Sequence, residues 1–152
     1  MSWLPAGWRK RLELDPMAAS DVLLDSNIYI GWLRQGIDPA EALAFLADTT
    51  DLVTCGMVRL EVLRGIKDPR IRERMSEFFD IMQNVLSDDR LWREAADLAW
   101  ELDRKCRTLP AQDILIACSA QRLGALVLTK DHHFSLIPGL RVLPELDGMP
   151  PC

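Results

Sequence analysis

The chain has 152 residues, of which 49% are hydrophobic, and it carries a formal net charge of -5 with a sequence pI near 5.0. This length and apolar content predict one compact domain with a real core, and the acidic balance argues against a protein that holds nucleic acid by bulk positive charge. No apolar run approaches the roughly 18 residues of a membrane span, no leader peptide is recognisable, and the four cysteines lack C-x-x-C spacing. We therefore expect a reduced, cytoplasmic protein.

The chain starts with a segment that has no clear periodicity. We assign residues 1–21 to an N-terminal extension and residues 22–152 to one folded domain. The domain opens with Val22 to Leu24, a continuous apolar run typical of a strand buried on both faces of a parallel sheet. Asp25 and Ser26 follow at its carboxyl end, where ligands bind in open α/β sheets. The same two residues are equally typical of a turn and a helix cap. Further carboxylates that reach the same place would favour a binding site over a simple cap.

The next segment predicts a short helix over Asn27 to Arg34 that is apolar nearly all round. Such a helix is usually buried on two sides. The sheet covers one side, and the other favours a partner or a second subunit, with Tyr29 and Trp32 as candidate groove residues. The alternative is that Trp32 belongs to the core. A second helix starts at Asp38, which is followed by Pro39 and, three residues after the cap, by an acidic residue.

A second strand is predicted at Asp51 to Thr54, followed by a helix from Met57 to Gly65. Glu61 lies within this helix among apolar neighbours, and an unpaired buried charge is costly. An ion pair with Arg59 or Arg64 would satisfy it without any functional role.

The helix that Asp68 opens carries an apolar stripe at helical spacing, which predicts a core face made of Ile71, Met75, Phe78, Phe79 and Met82. Its other face and the approach to it form a basic cluster, with an excess of three positive charges over Glu61, Asp68 and Glu73. This cluster is interpreted either as a solvated helix face or as a rim that follows RNA phosphates. Its basic members are Arg59, Arg64, Lys67, Arg70, Arg72 and Arg74.

A short strand is predicted at Val85-Leu86, and Asp88 or the residue after it caps a long helix that runs to about Lys105. The two tryptophans of this helix, Trp92 and Trp100, are expected to pack against neighbouring elements.

The last third of the domain repeats the pattern of the first strand. A helix that begins at Pro110 and ends at Gly124 places Asp113 in its first turn. Ala125 to Thr129 is a second buried strand, and Asp131 lies just past its end. A last strand follows at residues 140–143.

Strands that alternate with helices indicate an α/β fold with a mainly parallel central sheet flanked by helices. Such a sheet brings the ends of its strands to one edge, so Asp25, Glu61, Asp113 and Asp131 are expected to converge. Converging carboxylates repel one another unless a hard divalent cation such as Mg²⁺ or Mn²⁺ binds their oxygens. The substrate that such a cation best serves is a phosphate ester.

At these residues the sequence resembles the PIN-domain ribonucleases, especially toxins of the VapC type. The resemblance covers about residues 22–143 and is carried by four motifs in order: LLDSN, VRLEVLRGI, LPAQDILIACSA and LVLTKDHHF. It implies a three-layer PIN-like fold and an endoribonuclease that hydrolyses RNA with Mg²⁺ or Mn²⁺ and so inhibits translation or growth. Carried over by position, the acidic quartet is Asp25, Glu61, Asp113 and Asp131, with Ser26 and Thr129 as supporting hydroxyls.

The resemblance also implies partners: an RNA substrate, a cognate antitoxin whose segment fills a groove near the site, and a second subunit in a homodimer. Candidate RNA-contacting residues are Arg59, Arg64, Lys67 and Arg70. The alternatives are an RNA-processing PIN nuclease outside toxin-antitoxin systems and a non-catalytic, receiver-like signalling module. His132 and His133 cannot share one helix face as a spaced metal pair and are interpreted as ordinary loop residues.

Overall fold

The computed structural model describes residues 21–47 and 50–143 of the chain. The predicted N-terminal extension, apart from Asp21, and the last nine residues lie outside the described residues. No helix in the described ranges is long and apolar enough to cross a membrane.

The core of the fold is a five-stranded sheet in which every pair of neighbouring strands runs parallel, in the order β3-β2-β1-β4-β5. The central strand pairs on both sides, with Val22 in register with Leu52 and with Leu126. The predicted parallel sheet is therefore confirmed. The strands are β1 (Val22–Leu24), β2 (Leu52–Cys55), β3 (Gln83–Val85), β4 (Leu126–Leu128) and β5 (Val142–Leu143).

Six α-helices in the described part of the chain flank this sheet and give a three-layer α/β fold. A 3-10 turn at His132–Leu136 follows the fourth strand. The helices are α1 (Ser26–Arg34), α2 (Pro39–Ala47), α3 (Gly56–Gly65), α4 (Pro69–Asp80), α5 (Asp89–Arg104) and α6 (Ala111–Leu123).

Local chemistry sets the ends of several of these helices. Asp68 caps α4, since its carboxylate accepts a hydrogen bond of 2.8 Å from the backbone N–H of Arg70. Asp88 caps α5 in the same way, through the backbone N–H of Leu91 at 2.9 Å. Gly124 follows α6 with φ 62°, a left-handed conformation that favours glycine. Each of these caps agrees with the element start or stop that the sequence predicts.

The apolar runs of the sequence form the interior. All three residues of β1 are fully buried, and α6 is buried continuously over residues 114–120. Phe134 of the 3-10 turn is also fully buried, so the chain after β4 folds back onto the core. This rigid interior holds the carboxyl ends of β1, β2 and β4 in fixed positions.

Four apolar side chains lie outside the interior, against expectation. Ile71 of the predicted core stripe is 45% exposed, and Leu86, predicted to lie in a strand, is 73% exposed because β3 ends one residue earlier. Trp92 and Trp100 on α5 are also more than half exposed. The ring of Trp100 is covered in part by the guanidinium of Arg104 at 5.4 Å, which explains how it is accommodated at the surface.

Candidate active site

Asp25 is the buried centre of the candidate site. It follows β1 directly and occupies the N-cap position of α1, but its side chain makes no capping hydrogen bond. Its carboxylate, in a residue only 4% exposed, instead accepts a hydrogen bond from a residue at the end of β4. Burial raises the pKa of Asp25, hydrogen bonds to its carboxylate lower it, and the charge of Glu61 raises it again. A simple role as a helix cap does not explain this orientation.

Thr129 connects the ends of β1 and β4. Its hydroxyl donates to Oδ2 of Asp25 at 2.8 Å and accepts from the backbone N–H of Asp131 at 2.9 Å. The side-chain amide nitrogen of Asn27 also donates to this hydroxyl at 3.3 Å. The Oδ1 of Asn27 accepts a hydrogen bond from the backbone N–H of Lys130 at 3.5 Å. Asn27 was not predicted as a site residue, although it stands in the quoted LLDSN motif.

Ser26 connects Asp25 to the helix that carries Glu61. Its Oγ lies 2.5 Å from Oε2 of Glu61 and 3.3 Å from Oδ1 of Asp25. A hydroxyl has one proton, so the bond that Ser26 donates is the short one to Glu61. Arg59, one of the two predicted ion-pair partners of Glu61, pairs instead with Asp80 at 2.8 Å.

Asp113 lies in the first turn of α6, and its pKa responds to the charges of the other three carboxylates. Burial raises its pKa most, and the charges of Asp25, Asp131 and Glu61 raise it further, in that order. Together they bring the pKa of Asp113 to about 6, although the charge of His133 acts in the opposite direction. Ser26 links Asp25 with Glu61, and Thr129 links Asp25 with the backbone of Asp131, while the charges of these three carboxylates act on Asp113.

Asp131 begins the 3-10 turn and shares one carboxylate oxygen between two contacts with His133. Its Oδ1 accepts the backbone N–H of His133 at 2.9 Å and lies 2.8 Å from the ring Nδ1. His133 therefore lies in a turn, as the sequence indicates, and its contact with Asp131 is an addition that the sequence does not reveal. The ring of His133 also lies beside that of His132, tilted by 37° with the centroids 4.7 Å apart.

The carboxylates are coupled electrostatically, but those in the described residues are not close enough together to coordinate one metal ion. Within residues 21–47 and 50–143, no three histidine, cysteine, aspartate or glutamate side chains are grouped closely enough to hold a metal ion. The donor set nonetheless consists of carboxylate and hydroxyl oxygens, which are the ligands that Mg²⁺ and Mn²⁺ prefer. The residues fit such a cation by chemistry, and the side chains would have to move closer to bind it together.

Of the four predicted RNA-contacting residues, one forms an ion pair within the protein and three are exposed. Arg59 is committed within the protein, since it pairs with Asp80 and lies over the ring of Phe79. Arg64, Lys67 and Arg70 are exposed. They follow Glu61 along α3 and the start of α4, as the chain runs away from the carboxyl end of β2.

Tyr29 and Trp32 do not line an open surface, so their assignment as groove residues is corrected. Tyr29 is fully buried and Trp32 is 8% exposed. The second apolar side of α1 is covered by this chain itself, because the ring of Phe79 packs edge-on against Tyr29 with a centroid distance of 5.2 Å. Two adjoining surface grooves nearby share Leu33 and Ile71 and lie among the ends of α1 and α3 and the start of α4.

A parallel sheet flanked by helices, with Asp25 and Asp131 following two of its strands, places the chain among the open α/β proteins, in which ligands bind at that edge of the sheet. The particular family follows from comparison with known proteins. The family model of the PIN domain matches residues 22–140, so the chain belongs to the PIN domain family. The family and the three-layer fold inferred from the four motifs are thereby confirmed, and the receiver-like alternative loses its support.

Solved structures with the same fold come from several bacteria. VapBC2 from Rickettsia felis, bound to a DNA fragment from its promoter, superimposes with a TM-score of 0.69 at 21% identity over 82% of this chain and 98% of that one. DNA-bound VapBC from Salmonella typhimurium gives 0.68 at 22% identity, over 82% and 97%. VapBC-1 from nontypeable Haemophilus influenzae gives 0.65 at 20% identity, over 82% and 97%. No curated protein matches the chain.

Proposed function

We propose that this PIN-family chain is a divalent-metal-dependent endoribonuclease whose catalytic and metal-binding residues are Asp25, Glu61, Asp113 and Asp131. The observation that carries the proposal is the hydrogen-bond network in which Ser26 links Asp25 to Glu61 and Thr129 links Asp25 to the backbone of Asp131. Four acidic side chains from four elements do not share one region for structural reasons, since their mutual repulsion destabilises the fold. A bound divalent cation would offset the repulsion, and hydrolysis of a phosphate ester is the chemistry that such a cation supports.

Mg²⁺ or Mn²⁺ would be held by the carboxylate oxygens of the quartet. When bound, such an ion neutralises charge that develops on the phosphate and lowers the pKa of a coordinated water. Ser26 and Thr129 hold Glu61 and Asp25 in fixed orientations through their hydroxyl groups. Asp113, with a pKa of about 6, keeps its proton in part of the molecules near neutral pH and would release it when a cation binds.

We further propose that the chain is the toxin of a toxin-antitoxin pair. A ribonuclease toxin is the function that the PIN family and the VapBC structures together support. The antitoxin surface now proposed is the pair of grooves around Leu33 and Ile71, since Tyr29 and Trp32 are buried. These grooves have apolar walls, and the charged residues that line the groove next to α3 are Arg34, Lys67 and Asp68, an excess of one positive charge that suits an amphipathic segment with acidic flanks.

The decisive experiment is expression of the chain alone, beside Asp25→Asn, followed by mapping of RNA ends. We expect new RNA ends and growth arrest with the parent protein only, and purified protein that cuts RNA with Mg²⁺ or Mn²⁺ but not in EDTA. Full activity in EDTA would contradict the proposal. RNA cleavage without growth arrest would favour the alternative, an RNA-processing nuclease outside toxin-antitoxin systems. Sedimentation of the same preparation measures whether the expected homodimer forms.

A further inference from the structure

We propose that Lys130 is an RNA-binding residue of this site, whose ammonium group holds a backbone phosphate next to the acidic quartet and is positioned by Asn27 and Gly31. The inference rests on the proposed ribonuclease function and deepens it. It gives the acidic site the positive charge that a polyanionic substrate requires.

The backbone at Lys130 is fixed from helix α1. The Asn27 side chain accepts a hydrogen bond from the Lys130 backbone N–H at 3.5 Å while its amide donates to the Thr129 hydroxyl at 3.3 Å. Thr129 in turn contacts Asp25, and the residue after Lys130 is Asp131. Lys130 is therefore anchored between two members of the site, and its side chain leaves the backbone from a defined point.

The side chain of Lys130 then lies against a glycine of α1. Its Nζ is 3.3 Å from the point where a Cβ of Gly31 would stand, closer than an ordinary van der Waals contact. Gly31 does not have the positive φ that requires glycine elsewhere in the described chain. A Cβ at this position would push the ammonium away by a few tenths of an ångström, so the contact shows that the Lys130 side chain lies directly against α1 at Gly31.

The electrostatics of the site call for such a cation. Each RNA phosphate carries a negative charge, and phosphates on either side of the cleaved bond must lie near the carboxylates of the quartet. The exposed basic residues Arg64 and Lys67 lie farther along α3 and after it. Lys130 lies between Thr129 and Asp131 in the chain, and a lysine ammonium is a point charge well suited to a phosphate oxygen.

Helix α1 carries a second basic residue, Arg34, farther from the site than Lys130. Asn27, Gly31 and Arg34 are spaced i, i+4 and i+7, so they share one face of the helix. Arg34 is exposed in the last turn. An RNA strand that leaves the quartet over Lys130 would therefore meet Arg34 next, which gives the strand a direction along α1.

The test measures RNA binding separately from cleavage. A labelled single-stranded RNA is titrated at fixed Mg²⁺ with the Asp25→Asn protein, which binds without cutting, over a series of KCl concentrations. Adding Lys130→Met should weaken binding about tenfold, the loss expected for one charge-assisted hydrogen bond. It should also reduce the salt slope by about 0.7, the value for one phosphate contact on a single strand. Lys130→Arg should retain the slope, and Lys105→Met, an exposed lysine after α5, is the matched control.

Gly31→Leu tests the positioning role, because it displaces the ammonium without removing its charge. It should weaken RNA binding when Lys130 is present and have little further effect in the Lys130→Met protein. Equal loss in both backgrounds would overturn the role of Gly31 in placing Lys130. Thermal melts confirm that each variant is folded before its binding is interpreted.

Two outcomes separate this inference from the proposed function. If the Asp25→Asn protein binds RNA and Lys130→Met changes neither the affinity nor the salt slope, the inference about Lys130 is wrong and the nuclease stands. If the parent protein neither cuts nor binds RNA with Mg²⁺ or Mn²⁺ present, the proposed function fails and the role of Lys130 fails with it.

Discussion

The Thr129 hydroxyl donates a 2.8 Å hydrogen bond to Oδ2 of Asp25, across 104 residues of sequence. The two residues stand at the ends of neighbouring parallel strands, and the backbone N–H of Asp25 also bonds to the carbonyl of Leu128 at 2.9 Å. Backbone and side-chain bonds together hold the carboxylate in one orientation while it is buried. This hydrogen bond lowers the pKa of Asp25, against the larger effect of burial.

Thr129→Val should therefore weaken the site without removing a carboxylate. The substitution keeps the shape of the side chain but loses the hydroxyl that donates to Asp25 and accepts from the backbone N–H of Asp131, so the pKa of Asp25 rises further and the acid limb of the cleavage profile moves to higher pH. Metal affinity should fall by about 10- to 100-fold, as for other groups that orient a ligand. Calorimetric titration with Mn²⁺ and a pH profile of RNA cleavage measure the two effects.

Thr129→Ser is the matched control for this experiment, because it restores the hydroxyl and removes only a methyl group. It should recover most of the metal affinity and return the pH profile toward that of the parent. If Thr129→Val and Thr129→Ser behave alike, the hydrogen bond to Asp25 has no role in metal binding.

Asp25→Asn and Glu61→Gln should each abolish RNA cleavage. Each replaces an anionic oxygen by a neutral amide of the same size, and the transition-state stabilisation that a metal ion supplies is several kcal/mol, or on the order of 10²-fold in rate or more. Asp97→Asn, at an exposed position of α5, is the control. Cleavage of an RNA oligonucleotide under single-turnover conditions gives the rates. Parental rates in either site variant would remove that residue from the quartet.

Trp32 and Ile71 should respond in opposite ways to substitution. Trp32→Ala removes a buried ring and should cost about 3 kcal/mol or more of unfolding free energy. Ile71→Glu changes an exposed groove residue, so stability should hardly change while binding of an acidic amphipathic antitoxin segment weakens. Ile81→Glu, at a position 81% exposed, is the control for a surface charge. Urea unfolding and co-purification of the antitoxin distinguish these effects.

Each member of the proposed acidic quartet has a local signal in the sequence, and that of Glu61 is a charge among apolar neighbours. Asp25 and Asp131 follow continuous apolar runs that had to be buried strands, and Asp113 follows a proline that begins a helix. Parallel strands then bring their carboxyl ends to one edge. The fold class predicts this for Asp25 and Asp131, and the resemblance to the PIN-domain ribonucleases adds Glu61 and Asp113.

The hydrogen bonds around these carboxylates cannot be predicted from the sequence in the same way. Asn27 reaches Thr129, and His133 reaches Asp131, through side-chain hydrogen bonds whose geometry depends on distances in space. The apolar face of α1 was ambiguous for a different reason. Periodicity shows that a face must be covered but not by what, and the structure covers Tyr29 with Phe79 of the same chain.

Asp113→Asn should raise the melting temperature of the metal-free protein at pH 7. The folded-state pKa of Asp113 is about 6, above its ordinary value of 3.8, so the contribution of this group is most favourable below the unfolded pKa and is lost as pH rises through the folded pKa. At pH 7 the charged carboxylate therefore opposes folding, by about 1 kcal/mol once solvent screening of this partly exposed group is allowed for. That corresponds to a rise of about 2–4 °C on neutralisation for a chain of this size.

The same substitution should behave differently at lower pH and with metal. Near pH 5 the parent already carries the proton on most molecules, so the melting temperatures of the two proteins should converge. Mn²⁺ should stabilise the parent by binding its folded state and should stabilise Asp113→Asn less, since a charged ligand is missing. Thermal melts at both pH values, in EDTA and in Mn²⁺, give all four comparisons. A metal-free Asp113→Asn protein that melts below the parent at pH 7 would mean that a cationic side chain, and not repulsion, dominates at Asp113.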